Sequence, residues 1–473
     1  VGVALAAGSI GPEFFVHGGL FPTAAAQPPG STSGAGDVAD LVDKVKPAVV
    51  GVRTRVTLET DDLDRLFGVP KDKGAPTDKS NTSPRPRVGS NQGSGFFISP
   101  DGYIVTTSHL VEGGQKIEIT TDEDKTYPAR LIGSDARTDL ALLKVDAERH
   151  FPSVPLAQNA PRIGEWVLAV GNPFGLGGTV TAGIVSARAR DIKVGTFNDF
   201  IQIDAPVNQG NSGGPTFDLK GNVIGVNSAI FSPTGGSVGI GFAIPADTVG
   251  GVIAQLKERG AVIRGWLGVQ IQPLTSQLAE GLGVKEATGA VVVEPQSNGP
   301  AAQAGVAPGD VITAVNGEAV KDDRDLVKRI GDLAPGTSVN LDVSRKGDRK
   351  TIGVTLAEMP GGPDVVPSSS PTQQSGPTRT ARPDPSNLGL EFAPNRKLGD
   401  GGGVIVTDVD PNGLGADQGL QTGDIILEIE SKMMKTSADV HKVLAETRQQ
   451  GKHVAIARVK SGDSMRFVAI PVG

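Results

Sequence analysis

The chain has 473 residues, a formal net charge of −7, 65 glycines, 4% aromatic residues and no cysteine. At roughly 100–200 residues per domain this length predicts about three domains, and the composition suits β-rich modules with many turns rather than one large aromatic core. The missing cysteines exclude disulfides and thiolate metal sites, though not an oxidising compartment, and an acidic chain without an Arg/Lys-rich run is not expected to bind nucleic acid.

Residues 1–36 read as the remnant of an export signal or as a linker. Val1 to Ala7 is mildly apolar, Thr23-Ala24-Ala25-Ala26-Gln27 offers a small-residue cleavage pattern, and Pro28 to Gly36 is a Pro/Gly/Ser tract. The alternatives are a membrane anchor and a low-complexity arm. Membrane association is expected only if this segment is an uncleaved anchor, because no other stretch approaches the ~18 apolar residues that span a bilayer.

Residues 37–260 carry many short apolar runs separated by Gly, Pro and Asn turns, the pattern of barrels. Inside them, Asp61 to Gln92 is charged and Pro-rich, with only Leu63, Leu66, Phe67, Val69 and Val88 as sizeable apolar residues. That length without periodicity predicts a long mobile loop. Of the five histidines, His17, His109, His150, His441 and His453, only His109 ends a strand-like run, Gly102 to His109, after the turn Pro100-Asp101-Gly102. Asp139 stands at the entrance of the apolar strand Leu140 to Leu143, and Asp135 is expected to cap the turn before it.

Gly210-Asn211-Ser212-Gly213-Gly214-Pro215 places a serine among glycines, where a sharp turn exposes the hydroxyl. Such a turn leaves the amides of Gly210, Asn211 and Ser212 free to hold an oxyanion. The chain order His109, Asp139, Ser212 is that of chymotrypsin-like double barrels, unlike subtilisin or the α/β-hydrolases. Ser228, Ala229, Ile230, Phe231 and Ser232 are expected to line the peptide cleft, or else to pack as an ordinary strand. The bulk of Ile230 and Phe231 favours a small aliphatic residue before the scissile bond. Asp247 to Gly260 reads as a short helix. No His-x-x-x-His pair and no phosphate loop occurs, so no metal and no cofactor is expected.

From Arg264 the pattern changes and then repeats. Asn298, Gly299, Gly305, Gly309, Asp310 and Ile312 recur as Asn412, Gly413, Gly419, Gly423, Asp424 and Ile426, each 114 residues on. Gly289 and Val292 recur as Gly403 and Val406 in the same register, which predicts two copies of one module. The copies open with Gly265-Trp266-Leu267-Gly268 and Leu388-Gly389-Leu390-Glu391-Phe392, which resemble the carboxylate-binding loop of PDZ domains. Successive loop amides can take a peptide's C-terminal carboxylate while the next strand adds the peptide to its sheet edge. Seven prolines in Pro360 to Ser386 mark a semi-extended tether.

Thr107-Ser108-His109-Leu110-Val111, Asp135 to Val145, Gly210 to Pro215 and Asn227 to Pro245 together resemble the HtrA/DegP (Do-type) serine proteases, from about Val38 onward. Beside His109 the family often has Asn-Asn-His-Val; these neighbours pack around the base and do no chemistry. The resemblance implies an all-β dominated fold: a chymotrypsin-like double β-barrel protease domain (37–260), then PDZ domains at 264–358 and 387–473 joined by 359–386. It implies a periplasmic endoprotease for unfolded polypeptides, with possible chaperone activity and PDZ capture of peptide C-termini. It also implies a homo-oligomer built on trimers, whose 61–92 insertion reaches a neighbouring subunit. Leu41 and Val42 would pack at that interface or in the core. Arg190 matches a family arginine that senses PDZ-bound or substrate-bound states; a solvated surface arginine is the alternative.

Overall fold

The structure is a computed structural model that describes residues 38–58, 87–172, 178–192, 197, 199–208, 210–233, 236–360, 388–394, 402–462 and 464–472. The expected export segment, most of the charged insertion and the proline-rich tether lie outside the described residues. No helix among them is long and apolar enough to cross a membrane.

After helix α1 (Val38–Val45), six strands close a first barrel. They are β1 (Val49–Leu58), β2 (Arg87–Phe97), β3 (Tyr103–Thr106), β4 (Gly114–Thr120), β5 (Thr126–Asp135) and β6 (Leu140–Lys144), in the order β1-β2-β3-β6-β5-β4. Helix α2 (Ser108–Val111) follows β3. A second closed barrel, ordered β10-β11-β12-β9-β8-β7, uses β7 (Trp166–Gly171), β8 (Thr179–Arg190), β9 (Phe200–Ile203), β10 (Pro215–Asp218), β11 (Val223–Ile230) and β12 (Gly241–Pro245). Helix α3 (Ala246–Arg259) then packs Val249, Val252, Ile253 and Leu256 onto the core between the barrels and ends on Gly260 in the left-handed conformation, φ 73°. The unbroken apolar run of β6 now has a cause. Leu140 and Leu142 face the inter-barrel core while Ala141 and Leu143 fill the first barrel, so both faces are buried.

One expectation is corrected and one pair of alternatives is decided. The C-terminal end of the 61–92 segment is not loop: Arg87 to Gln92 are part of β2, paired with β1 from Leu58↔Arg87 to Arg53↔Gln92. The polar, Gly-containing sequence hides a strand whose order comes from its partner. Leu41 and Val42 pack against the inter-barrel core of their own chain.

The repeat is two modules. The first holds β13 (Gly265–Trp266), β14 (Val269–Pro273), α4 (Ser276–Leu282), β15 (Ala290–Pro295), α5 (Pro300–Gln303), β16 (Val311–Val315), β17 (Glu318–Ala319), α6 (Asp323–Gly331), β18 (Ser338–Arg345), β19 (Asp348–Thr355) and β20 (Ala357–Glu358). The second holds β21 (Leu390–Pro394), β22 (Val404–Val409), α7 (Leu414–Asp417), β23 (Ile425–Ile429), β24 (Lys432–Met433), α8 (Ser437–Gln449), β25 (Val454–Ser461) and β26 (Ser464–Pro471). The sheets run β14-β15-β16-β18-β19 and β21-β22-β23-β25-β26, leaving β14 and β21 as edges.

The repeated Gly…Gly-Asp pattern is one buried device made twice. Asp310 accepts from Ala307 N (2.9 Å) and from Arg345, whose Nη2 also reaches Gly305 O (2.7 Å). Asp424 accepts from Gln421 N (3.1 Å) and from Arg466, whose Nη2 reaches Gly419 O (2.7 Å). Each buried carboxylate is thereby paired and hydrogen-bonded, as a charge out of water must be.

The modules also touch their neighbours. Leu274, Leu278 and Ala279 pack on Val454, Ile456 and Ala469, and Gln272 exchanges two hydrogen bonds with the backbone of Phe467 (3.1 and 2.8 Å). Toward the barrels, Arg264 makes a buried bidentate pair with Asp135 (2.9 and 2.7 Å) and stacks over Phe197 at 4.4 Å. Asp135 does cap its turn, through Thr138 N at 3.2 Å, but the arginine was not foreseen. Removing Arg264 alone strands a buried carboxylate, so Arg264→Ala should destabilise the chain by about 3–5 kcal/mol. Arg324→Ala breaks an exposed pair with Asp191 (3.8 Å) and should cost less than about 1 kcal/mol. Denaturant unfolding of the two variants checks this order.

Candidate active site

His109 sits in α2, one turn beyond β3, rather than at a strand end. Its place is fixed by Asp139, which enters β6 with φ 55°, a left-handed conformation that aspartate tolerates better than most side chains. That backbone turns both the carbonyl and the carboxylate toward α2. Ser108 N donates to Asp139 O (3.1 Å) and His109 N to Asp139 Oδ1 (3.1 Å). His109 Nδ1 lies 2.9 and 3.0 Å from the two carboxylate oxygens. A carboxylate only accepts, so Nδ1 carries the proton and Nε2 is left as the acceptor. Burial pulls the imidazole pKa down, but the hydrogen bond and charge of Asp139, with Glu112 adding, leave it above its ordinary value.

The second barrel supplies another donor to the same carboxylate. Strands β11 and β12 slip register between Asn227 and Ala229, and this bulge leaves Ser228 as the extra residue. Its hydroxyl donates to Asp139 Oδ2 at 2.6 Å, and its carbonyl accepts from Ser212 Oγ at 3.4 Å. Ser228 therefore bridges aspartate and serine, a role not foreseen when it was read as cleft lining. No hydrogen bond joins Ser212 Oγ to His109 among the described residues; such contacts are often loose before substrate binds.

The serine loop is held tightly. Gly210 has φ 96° and Gly213 φ 83°, a region costly for other residues. Gly213 N donates to Asn227 O (2.7 Å) and Gly214 N to Asn211 O (2.9 Å). Asn211 is corrected as an amide donor, because its N–H closes a turn on Asn208 O at 3.0 Å. The amides of Gly210 and Ser212 have no acceptor among the described residues and remain available to an oxyanion.

Of the expected cleft residues, Ala229 pairs with Phe242, Ile230 is half-buried against the core of the second barrel, and Phe231 is 60% exposed. Ser232 Oγ donates to Gly236 O. Arg190 ends β8 and donates to Gln202 Oε1 at 3.1 Å; the charges that meet the first repeat from this region are Asp191 and Asp199, with Arg324 and Lys328.

The two repeat loops share one scheme. Leu267 O and Leu388 O accept from Ala301 N and Gly415 N (both 2.9 Å), while Gly268 O and Gly389 O accept from Gln296 N (2.8 Å) and Asp410 N (2.7 Å). Gly268 and Gly389 both have positive φ. Gly265 and Trp266 belong instead to β13, paired with Glu358 and Ala357, and Leu390 already starts β21. Sequence reasoning missed Ser94, a buried residue bonded to the serine loop; its only signal is the pair of glycines around it, Gly93-Ser94-Gly95.

Comparisons with known proteins agree with this geometry. Residues 93–226 match the trypsin-like peptidase domain, and residues 265–356 and 386–471 match the PDZ domain. A probable periplasmic serine endoprotease, DegP-like, of Brucella suis is 46% identical over 464 residues, covering 92% of this chain and 89% of that protein. The chain belongs to the DegP-like family of periplasmic serine endoproteases. A relative of the same description from Rhizobium meliloti is 42% identical, covering 92% of this chain and 91% of its own. Among solved structures, the HtrA-type protease AlgW with decapeptide is 37% identical with TM-score 0.58, covering 68% of this chain and 99% of that one. The serine endoprotease from Yersinia pestis is 32% identical with TM-score 0.51, covering 69% and 99%. This DegP-like chain is thus a periplasmic serine endopeptidase with a strand-dominated fold of two barrels followed by two PDZ domains.

The hydrogen bond from His109 to Asp139 makes a prediction about its titration. By NMR the His109 ring should lose its proton above pH ~6.5, the free imidazole value. In Asp139→Asn the main raising partner is gone while burial and the smaller effect of Glu112 remain, so the midpoint should fall below that of the wild type.

Proposed function

We propose that the chain hydrolyses peptide bonds through Ser212, His109 and Asp139 by an acyl-enzyme mechanism. The observation that carries this reading is the network Ser212–Ser228–Asp139–His109, which brings the serine loop of one barrel to the imidazole of the other. In the reaction Ser212 Oγ attacks the carbonyl carbon, and its proton passes to His109 Nε2. Asp139 holds the tautomer and stabilises the imidazolium. The amides of Gly210 and Ser212 receive the developing negative charge, worth about 3–4 kcal/mol per donor in comparable sites. His109 then protonates the leaving amine, and water repeats the sequence to release the acyl group. No step needs a nucleotide or a metal, so the activity is ATP-independent.

The substrates in this reading are unfolded or misfolded envelope proteins, in a stress-response role with added chaperone activity. The PDZ domains capture C-termini or exposed strands. Support comes from β14 and β21, sheet-edge strands that begin at the two Gly loops and lie beside α6 and α8. In the second module Phe392 of β21 and His441 of α8 face each other at 6.0 Å. Ser212→Ala should abolish cleavage of an unfolded, disulfide-free model protein while the variant still binds a peptide with a free C-terminal carboxylate. Residual activity within about tenfold of wild type would refute the nucleophile assignment, since losing a triad member costs far more.

The assembly in this reading is a homo-oligomer built on trimers. Ile163 and Trp166, both exposed at the start of the second barrel, offer apolar surface for such contacts. Light scattering at micromolar concentration should give a multiple of three chain masses, the chain being 48.5 kDa. The mass of one chain would refute it.

A further inference from the structure

Ser94 lies in β2 of the first barrel, fully buried, yet most of its hydrogen bonds go to the second. Its hydroxyl donates to Gly210 O at 2.6 Å and accepts from Asn172 N at 2.8 Å. Its amide donates to Ser212 O at 2.8 Å, and its carbonyl accepts from Thr106 Oγ1 at 2.8 Å. One residue thereby holds two peptide planes of the serine loop. The hydroxyl fixes Gly210–Asn211, whose other side is pinned by Asn211 N on Asn208 O. The amide fixes Ser212–Gly213, whose other side is pinned by Gly213 N on Asn227 O.

Between these two planes lies Asn211–Ser212, with its carbonyl taken by Gly214 N. A trans peptide whose carbonyl is held points its N–H the opposite way. That N–H belongs to Ser212, so the setting of this donor depends on the planes that Ser94 clamps. The local glycines make the clamp possible. A Cβ at Gly213 would collide with Ser94 O, one at Gly214 would come within 3.2 Å of Ser94 Cβ, and one at Gly93 within 2.9 Å of Ser212 O.

We propose that Ser94 is a positioning residue for the oxyanion-binding amide of Ser212, acting across the barrel interface through the carbonyls of Gly210 and Ser212. This rests on the reading of Ser212 as nucleophile and of the Gly210 and Ser212 amides as oxyanion donors. Oxyanion donors contribute because they are aimed before the charge appears. Without the hydroxyl, Gly210 O and Asn172 N lose a buried partner and the loop must shift to find others. A residue that merely joined the barrels would affect stability without separating ground-state from transition-state binding.

The test uses full-length Ser94→Ala and Ser94→Cys, the latter filling the space with a feeble donor. Each is assayed on a short peptide amide and with a peptide boronate, which forms a tetrahedral adduct on a serine hydroxyl. Expected are a kcat lowered about 10- to 100-fold, a boronate affinity lowered by a similar factor and a KM within about twofold. Binding of the uncleaved peptide, measured with each change combined with Ser212→Ala, should match that of Ser212→Ala alone. Folded variants with wild-type kcat and boronate affinity would overturn the proposal. So would an equal loss of peptide binding, or failure of both variants to fold, which would make Ser94 a residue of the core. If Ser212→Ala by itself still hydrolyses the peptide, the nucleophile assignment falls instead, whatever Ser94 does.

Discussion

The carboxylate of Asp139 is the point on which the site depends. It is buried, so its charge must be met by donors or be expelled. Those donors come from both barrels: the backbone and ring of His109 from the first, the hydroxyl of Ser228 from the second. Satisfying one anion therefore sets the imidazole, the bulge in β11 and the approach of the serine loop together. The left-handed backbone of Asp139 is the local cost of aiming the group this way.

Buried aspartates serve as joints at three other places in the chain. Asp135 with Arg264 and Asp310 with Arg345 each pair a buried aspartate with both arms of an arginine fork, while Arg466 reaches Asp424 through Nη2 alone. A bidentate guanidinium fixes direction as well as distance, which a lysine would not. The exposed pairs between α6 and the second barrel, Arg324 with Asp191 and Lys328 with Asp199, lack that geometry and are open to water. The barrels and the first PDZ domain are thus fastened chiefly at one buried point, four residues before Asp139.

What could be read from the sequence was what is local. Gly210 to Pro215 announces its turn because glycine is needed there for backbone reasons. Asp139 was legible from the apolar strand it opens, and the repeat from its glycines and its buried aspartate. What could not be read were the partners. Ser94, Ser228 and Arg264 act through residues 116, 89 and 129 positions away. No periodicity marks such pairings. The start of β2 reads as loop because Arg87 to Gln92 have no apolar alternation; their order comes from β1. Asn211 was counted among free amides because a motif lists N–H groups without saying which of them the turn itself consumes. Arg190 stands out only through its match to a family arginine; it bonds Gln202, and the ion pairs to the first repeat come from Asp191 and Asp199.

The packing of α4 against β25 and β26 has a consequence for geometry at longer range. Leu278 and Ala279 on Ile456, with Gln272 on Phe467, hold the two PDZ domains together. The two sheet edges, β14 and β21, then stand at one separation instead of many. For a polypeptide long enough to touch both, the second contact is intramolecular and its effective concentration is set by that distance alone. A short peptide gains nothing from the arrangement. If both edges take polypeptide, as proposed above, chain length itself becomes a quantity the tandem can measure, without any residue reading sequence.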